Sequence, residues 1–191
     1  MVPTLKNIKR KLSGKLQIIF QNKTLDFENK DILIQGKSYF LCRNVISTIP
    51  EMVAVEQRAT DEEDAWNYNT FALRMHDQHK ALYFGLRHKD KLVGFIGCRV
   101  NSALTRMRIM KLSVLPGYKS EGIANFLVSA LLKKAAFLGI RSVFIQVRAD
   151  YSQCLAFYAK MGFQVVQAKN KTSQRTEVVE YQYLTSKMKE K

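Results

Sequence analysis

The chain of 191 residues predicts a mixed α/β (α+β) fold, with one compact domain and an appendage. Apolar residues make up 47% of the sequence, which is ample for a globular core, and charged residues make up 25%. Apolar and polar side chains alternate along 143–147, as they do in strands, whereas apolar side chains recur at helical spacing along 122–138. The 9 Gly and 3 Pro are too few for a fibrous or linker-rich architecture.

The predicted elements form an antiparallel meander, then a strand-helix-strand-helix run, and then a terminal hairpin. Within the meander, His88-Lys89-Asp90 marks the turn of a hairpin, and Pro50 suits the first turn of the first helix. Strands are predicted at 38–44, 81–86, 92–100, 107–114, 142–147, 163–167 and 177–184, and helices at 49–57, 67–75, 122–138 and 152–161.

Residues 1–36 predict a basic N-terminal extension, and residues 37–191 predict the globular domain. Within the extension, 16–21 and 32–35 are candidate short strands. The extension is interpreted either as a frayed tail or accessory hairpin, or as an electrostatic arm for RNA or another acidic partner.

Charge is distributed unevenly along the chain, whose formal net charge is +15. Residues 91–175 contain 14 Lys and Arg but only the acids Glu121 and Asp150, so this half has a net charge of +12. Residues 51–64 are the reverse, with six acids and the single basic residue Arg58. A balance this basic predicts partners that carry phosphates or other anionic groups.

The cysteines and apolar runs predict a soluble, cytoplasmic protein without a membrane span. The three cysteines are separated by 56 residues each time, so they suggest neither a disulfide framework nor a zinc pair. No apolar run approaches the roughly 20 residues that span a bilayer. His76 and His79 lack a third ligand, so no metal site is predicted, and Cys154 is predicted to be a small buried side chain.

The loop Tyr118-Lys-Ser-Glu-Gly-Ile-Ala124 is the first functional signal. It leads from a predicted strand into the N-terminus of the long helix, where unpaired backbone N–H groups and the helix dipole attract an anion. Gly122 lets the backbone approach a phosphate, and Lys119 adds a full charge. The loop is neither a P-loop nor a GxGxxG turn. The alternative is an ordinary tight turn.

Two segments resemble signatures of the GNAT N-acetyltransferase superfamily. The stretch from Ser113 to Ala124 resembles its acetyl-CoA motif, V-x-P-x-Y-R/Q-x-x-G-x-G/A, with Lys119 at the Arg/Gln position. The stretch from Ala156 to Phe163 contains F-Y-x-x-x-G-F and so resembles the larger part of its closing A-x-x-F-Y-x-x-x-G-F signature. The resemblance covers about residues 38–184. It implies a central, mostly antiparallel mixed sheet flanked by helices.

Within the superfamily, the sequence is most similar to bacterial ribosomal-protein alanine N-acetyltransferases. Val55-Glu-Gln-Arg-Ala59, followed by Trp66, resembles their I-E-x-x-x-F-P-W-S segment, and Val147-Arg148-Ala149 resembles part of their E-V-R-x-S-N run. Gln146 stands where those enzymes carry a glutamate, and Asp150 and Tyr151 replace the last two residues of that run.

The resemblance implies a set of residues that bind acetyl-CoA and one that donates a proton. Tyr158 falls on the family's tyrosine, which protonates the departing CoA thiolate; the alternative is a core aromatic. The strand is implied to present backbone groups to the pantetheine and thioester, and the loop to hold the pyrophosphate. These cofactor-binding residues are Leu112, Ser113, Val114, Lys119, Ser120, Glu121, Gly122, Ile123 and Ala124.

The general base is left open by the sequence. An amine must lose a proton before it attacks, and the amide of Gln146 does not titrate. No carboxylate lies between Lys91 and Ser120. The candidates are a water held partly by Gln146, which ranks first, Asp150, which ranks second, an acid from 56–64, and Glu121, which is expected to face solvent. Catalytic candidates are therefore Tyr158, Gln146 and Asp150.

Two functions are predicted from these observations. The first is an enzyme that transfers an acetyl group from acetyl-CoA to a primary amine, such as a protein N-terminus or a neutral or acidic small amine. A basic site disfavours polyamines and aminoglycosides. The second is a module on a GNAT scaffold that binds acyl-CoA or docks on RNA or ribosomes, with little or no turnover.

Overall fold

The structure is a computed structural model that describes residues 25, 27–77, 79–170 and 177–188. The basic run and the candidate strand between residues 6 and 21 lie outside these residues. The described strands are β1 Lys30–Ile34, β2 Lys37–Arg43, β3 Ala81–His88, β4 Lys91–Val100, β5 Arg106–Val114, β6 Ser142–Arg148, β7 Gln164–Asn170 and β8 Glu177–Leu184. The described α-helices are α1 Ile49–Ala59, α2 Tyr68–Met75, α3 Ile123–Phe137 and α4 Ser152–Lys160.

The eight strands form one sheet in the order β1-β2-β3-β4-β5-β6-β8-β7. Neighbouring strands are antiparallel except β5 and β6, which are parallel. The predicted meander is therefore confirmed, as are the crossover through α3 and the terminal hairpin, whose second strand lies between β6 and β7. This is the mixed, mostly antiparallel sheet flanked by helices that the sequence predicts.

Helices cover both faces of the sheet at its centre. Along β3, Leu82, Phe84 and Leu86 pack in the same core as α3, whereas Ala81 and Tyr83 pack with α1 and α2. Because successive strand residues point to opposite faces, the two helical layers lie on opposite sides. The apolar run of β3 is thus buried on both faces, which explains why it shows no alternation.

The long helix α3 is formed by the residues that the pattern predicts. Leu127, Val128, Leu131 and Ala135 are fully buried, which confirms the predicted stripe. Gly139 follows the helix with a φ of 76°, a left-handed conformation that a glycine adopts without strain.

The sheet begins earlier in the chain than the predicted domain boundary. That boundary, between residues 36 and 37, falls in the turn between β1 and β2. β1 pairs with β2 from Lys30 to Ile34, so residues 30–34 are the edge strand of the same sheet. The pairing depends on a turn whose Gln35 and Gly36 both have positive φ, a feature that basic composition does not reveal.

A bulge in β5 determines which side chains reach α1. In the pairing with β4, Gly97 lies opposite Lys111 and Cys98 opposite Ile109, so Met110 is the extra residue. One extra residue reverses the alternation of the strand. As a result Lys111 turns toward α1, although Ile109 points into the core under α3.

Candidate active site

The parallel strands β5 and β6 separate and open a cleft in the sheet. Their pairs run only from Arg106 with Ser142 to Arg108 with Phe144, although both strands continue for several residues beyond. The cleft between them has a volume of about 440 Å³. It is lined by Ala59, Thr60, Asp61, Asp64, Trp66, Met110, Lys111, Leu112, Ile145, Gln146, Val147, Arg148, Tyr151, Cys154 and Tyr158.

The loop that precedes α3 has the geometry of an anion site. Gly122 is the residue before the helix, and its φ is 74°. A Cβ atom added to it would lie 3.3 Å from the side-chain nitrogen Nε2 of Gln35. No described side chain caps this end of the helix. The first backbone N–H groups of α3 lack intrahelical acceptors and are therefore suited to a phosphate. These features fit the pyrophosphate of CoA.

Glu121 points toward the β1–β2 hairpin and not into solvent, so the expectation for it is wrong. Its carboxylate lies 2.5 Å from Lys37 Nζ and accepts a hydrogen bond from the hydroxyl of Tyr39. The hydrogen bond from Lys37, with that from Tyr39, lowers the pKa of Glu121, whereas burial raises the pKa of Tyr39 to about 12. The neighbouring lysine offsets the negative charge that the loop would otherwise present to an anion.

Residues 112–114 form the end of β5, where Leu112 lines the cleft. β5 is paired with β4 along this stretch, where Leu112 faces Ile96 and Val114 faces Gly94. Among the described strands, none pairs with the other edge of β5 beyond Arg108, so that edge borders the opening. The side chain of Ser113 is not in the cleft, because it is buried and donates to Glu56.

Tyr158 lies on α4 and contributes to the lining of the cleft. Its side chain is 5% exposed, and its ring packs 5.4 Å from that of Phe163. Burial raises the pKa of Tyr158 above its ordinary value, with a smaller contribution from Cys154. The hydroxyl is therefore protonated throughout the physiological range and can act only as a proton donor in its resting state.

A buried ion pair lies under β5 on the side of α1. Glu56 is fully buried; its Oε1 lies 2.5 Å from Lys111 Nζ, and its other oxygen accepts from Ser113. Lys111 also donates to the backbone oxygen of Asp64 at 2.8 Å and lies 5.3 Å from the centre of the Trp66 ring. These contacts fix α1 and the following segment against the strand that borders the cleft.

A second network connects residues 61–64 to the end of β6. Arg148 lies 2.7 Å from Asp64, and the hydroxyl of Tyr151 donates to Asp64 at 2.7 Å and to Asp61 at 3.0 Å. The hydrogen bond from Tyr151, followed by that from Arg148, lowers the pKa of Asp64. The same hydrogen bond raises the pKa of Tyr151, so the pair holds its proton on the phenol.

Asp150 is held outside the cleft lining by Arg148. Two guanidinium nitrogens approach its two carboxylate oxygens, at 3.0 Å and 2.6 Å. This bidentate pair lowers the pKa of Asp150. Asp150 is thus near the cleft, but its carboxylate is occupied and is not among the lining groups.

Both networks join the acidic segment 51–64 to the basic half of the chain. The cleft is consequently lined by Asp61 and Asp64 as well as by Lys111 and Arg148. The cleft is therefore not lined by basic side chains alone, because the linear charge count does not include long-range pairs. That polyamines and aminoglycosides are disfavoured stays a prediction.

Gln146 projects from β6 into the cleft and meets a carboxylate on β8. It lies opposite Glu180 in the antiparallel ladder, and its Nε2 is 3.4 Å from Glu180 Oε1. Arg108 donates to the same oxygen at 2.8 Å. Sequence reasoning missed Glu180; the available signal was a single carboxylate inside the apolar strand Val178-Val-Glu-Tyr181.

Two further side chains differ in how well they were predicted. Cys154 is exposed on α4 and lines the cleft, so its predicted burial is wrong. Trp66, which the sequence identifies only through the family resemblance, packs against Phe71 with ring centres 5.3 Å apart and also lines the cleft. In the part of the chain that the structure describes, no group of three His, Cys, Asp or Glu could hold a metal, and no helix is long and apolar enough to cross a bilayer.

The comparison with protein families decides the classification. The model of the acetyltransferase (GNAT) family matches residues 47–163, which is more than half of the chain. The protein belongs to this family. The match includes the strand and loop that border the cleft and the helix that carries Tyr158.

Curated relatives are N-acetyltransferases at modest identity. The ribosomal protein bS18-alanine N-acetyltransferase of Escherichia coli is 26% identical over 115 residues, which are 60% of this chain and 74% of the relative. An uncharacterised N-acetyltransferase of Mycobacterium tuberculosis is 29% identical over 116 residues, which are 61% of this chain and 73% of the relative.

Solved structures share the fold. The crystal structure of the ribosomal-protein-S18-alanine N-acetyltransferase from Escherichia coli aligns with a TM-score of 0.68 at 21% identity, over 77% of this chain and 94% of that one. The PaiA N-acetyltransferase from Thermoplasma acidophilum, in complex with coenzyme A, aligns with a TM-score of 0.62 at 19% identity, over 77% of this chain and 100% of that one. The predicted GNAT fold is confirmed.

The structure places three of the twelve predicted site residues in the lining of the cleft. Leu112, Gln146 and Tyr158 line the cleft, and the loop of Lys119 and Gly122 connects its β5 wall to α3. Asp150 lies beside the cleft. The roles of these residues stay predictions.

Proposed function

We propose that this member of the GNAT family transfers an acetyl group from acetyl-CoA to a primary amine. The observation that carries the proposal is the cleft between β5 and β6, which has the buried hydroxyl of Tyr158 in its wall. The N-terminus of α3, uncapped by any described side chain, follows directly from the β5 wall. A thioester donor with a phosphate-rich carrier matches both features.

The chain's own groups support binding of the carrier. The loop amides before α3 and the charge of Lys119 are suited to the pyrophosphate, and the open edge of β5 is suited to an extended chain with amide groups. Acetyl-CoA supplies the activated acyl group. Backbone donors at Leu112–Val114 would stabilise the oxyanion that forms when an amine attacks.

Tyr158 is proposed to supply the proton that the leaving thiolate needs. Because its raised pKa keeps the hydroxyl protonated, this side chain enters the reaction as a donor. Its packing against Phe163 fixes the direction of the ring.

A protein N-terminus is the acceptor that we propose. One curated relative is named for acetylation of an alanine of ribosomal protein bS18, and the resemblance of residues 55–59 and 147–149 points to the same group of enzymes. The mixed charges of the cleft do not oppose a single α-ammonium group.

Thiol release from acetyl-CoA tests the reaction. The panel contains peptides with a free N-terminal alanine, the same peptides with a blocked N-terminus, spermidine, and an aminoglycoside. We expect thiol release with the free peptides and none with the blocked ones. Release with spermidine alone would contradict the proposed acceptor.

A thermal melt with acetyl-CoA separates the enzyme from a binding module. Because a ligand that binds the folded state raises the melting temperature, we expect a rise at millimolar acetyl-CoA. The absence of a shift would contradict the proposal. A shift without thiol release on any amine would favour the alternative of an acyl-CoA-binding module with little turnover.

A further inference from the structure

The position of the expected base is occupied by an amide, but the adjacent strand supplies a carboxylate. Gln146 stands where the resembling enzymes carry a glutamate, and Glu180 lies directly opposite it in the β6–β8 ladder. Opposite residues of an antiparallel pair point to the same face of the sheet. Glu180 therefore extends from the same face as the Gln146 side chain that lines the cleft.

The contacts of Glu180 fix the orientation of both side chains. Its side chain is 13% exposed, and both Arg108 and Gln146 contact Oε1, at 2.8 Å and 3.4 Å. With its Nε2 turned to Glu180, Gln146 directs its Oε1 away from that carboxylate, as an acceptor. Neither of these contacts uses Oε2 of Glu180.

Among the described side chains, Arg108 is the cation that is paired with Glu180. Arg108 approaches from β5, while Arg148, two residues beyond Gln146, is bound to Asp64 and Asp150. On β7, the residue opposite Glu180 is the neutral Gln167. Arg108 is 42% exposed, so solvent weakens its hold on the carboxylate.

The other acids near the cleft are also held by hydrogen bonds or ion pairs, and Asp61, which lines the cleft, accepts from the hydroxyl of Tyr151 at 3.0 Å. Glu56 is paired with Lys111 and Ser113 in a fully buried position, and Asp150 is bound by two nitrogens of Arg148. Asp64 accepts from both Arg148 and Tyr151. Glu180 is the carboxylate that contacts the cleft-lining amide of Gln146.

We propose that Glu180 accepts the proton that the acceptor amine must lose, through a water held by Gln146 Oε1. This inference rests on the proposed function. One N–H bond of the ammonium breaks, the proton passes through the water to Glu180, and it leaves to solvent after the reaction. The neutral amine then forms the new C–N bond and the C–S bond breaks; the second proton from nitrogen replaces the one that Tyr158 gives to the thiolate.

The test is the pH profile of thiol release by Glu180→Gln, with an alanine-terminated peptide as acceptor. We expect kcat/KM at pH 7 to fall by about 10²–10⁴-fold, the usual contribution of a general base. Because the variant must use amine that is already neutral, its rate should rise about tenfold per pH unit up to the α-amino pKa of about 8. Wild type should be nearly constant over the same interval.

Glu177→Gln is the matched control, because it removes the same charge from an exposed position on the same strand. It should retain the wild-type profile. The melting shift with acetyl-CoA should be unchanged in Glu180→Gln, which shows that the variant is folded and binds the donor. If Glu180→Gln does not fold, Glu180→Asp is the variant to measure. Because it keeps the charge, we expect its kcat/KM to be lower than that of wild type but still nearly constant with pH.

The exchange variant Gln146→Glu with Glu180→Gln is the stronger test. It moves the carboxylate back across the ladder, and we expect it to restore kcat/KM to within about tenfold of wild type. The proposal is overturned if the kcat/KM of Glu180→Gln stays within threefold of wild type with the same pH profile. It is also overturned if Asp150→Asn alone makes kcat/KM depend on pH in the interval where wild type is nearly constant. If wild type releases no thiol with any amine, the proposed function fails first, and the inference fails with it.

Discussion

The two walls of the cleft are built in different ways. The wall that we assign to the donor consists of β5, the loop and the start of α3, which are contiguous in the chain from 106 to 124. The opposite wall combines α1 and the segment after it with β6 and α4, whose residues are far apart in sequence, and Glu180 on β8 contacts Gln146 of this wall. The first wall, which we call the backbone wall, presents mainly backbone groups, although its Lys111 is paired with Glu56 on α1. The second, which we call the side-chain wall, presents paired side chains. Local sequence therefore determines the first, whereas the second exists only after folding.

The side-chain wall could lose function in more ways than the backbone wall. Lys111 and Glu56, like Arg148 and Asp64, are charged pairs whose members lie on different elements. Removing one member leaves a buried or half-buried charge, whereas most substitutions in the loop leave its amides unchanged. Four variants test this contrast, and the one with the largest expected effect comes first.

Tyr158→Phe should reduce kcat by about 10²–10⁴-fold if its hydroxyl is the general acid. The ring and its packing against Phe163 are kept, so the KM for acetyl-CoA should change by less than about twofold. Tyr183→Phe is the control, because Tyr183 also contacts Phe163, with ring centres 5.4 Å apart. Steady-state thiol release measures both variants. Unchanged turnover in Tyr158→Phe would reassign the residue to packing.

Glu56→Ala should lower the free energy of unfolding by about 3 kcal/mol, because it leaves Lys111 without its buried partner. Urea unfolding followed by circular dichroism measures the change. Glu63→Ala, at an exposed position nearby, should change stability by less than about 0.5 kcal/mol. A loss below 1 kcal/mol in Glu56→Ala would mean that the pair does not hold α1 against β5.

The same contrast explains how much of the site could be predicted. The anion loop was recognised because Gly122 and the start of α3 are consecutive, so a short motif contains the whole geometry. The contacts of Glu121 were not predicted, because its partners, Lys37 and Tyr39, lie in a hairpin about 80 residues earlier. Sequence spacing gives no information on such contacts.

The proposed general base, Glu180, could not be predicted from the sequence. The absence of a glutamate at 146 was visible in the sequence, but the register of β6 with β8 was not. Only that register places Glu180 opposite Gln146, because a shift by one residue would turn it to the other face. The fold could be predicted because helix stripes and strand alternation are local patterns. Cross-strand partners could not be predicted, because they depend on the register between strands that are far apart in sequence.

Gly122→Ala tests the backbone wall. A side chain at a φ of 74° costs about 1–2 kcal/mol, and the new Cβ would lie 3.3 Å from Gln35. If the loop shifts to relieve this strain, the KM for acetyl-CoA should rise about fivefold to tenfold with little change in kcat. Gly117→Ala is matched, because nothing lies within 4 Å of its Cβ position. An equal KM for both variants would contradict the role of the loop.

Asp64→Asn should have the smallest effect, and its size should depend on pH. Tyr151 and Arg148 depress the pKa of Asp64 in the folded state, so its ionised form stabilises the protein above the unfolded value of about 3.9. Because the carboxylate is 35% exposed, the loss at pH 7 should be below about 1 kcal/mol. As the pH falls below about 4 and wild-type Asp64 becomes protonated, the two proteins should approach the same stability. Glu62→Gln is the control for net charge, because it removes an exposed charge from the same segment. If the difference in unfolding free energy between wild type and Asp64→Asn stays constant from pH 7 to pH 3, the ion pair does not contribute to stability.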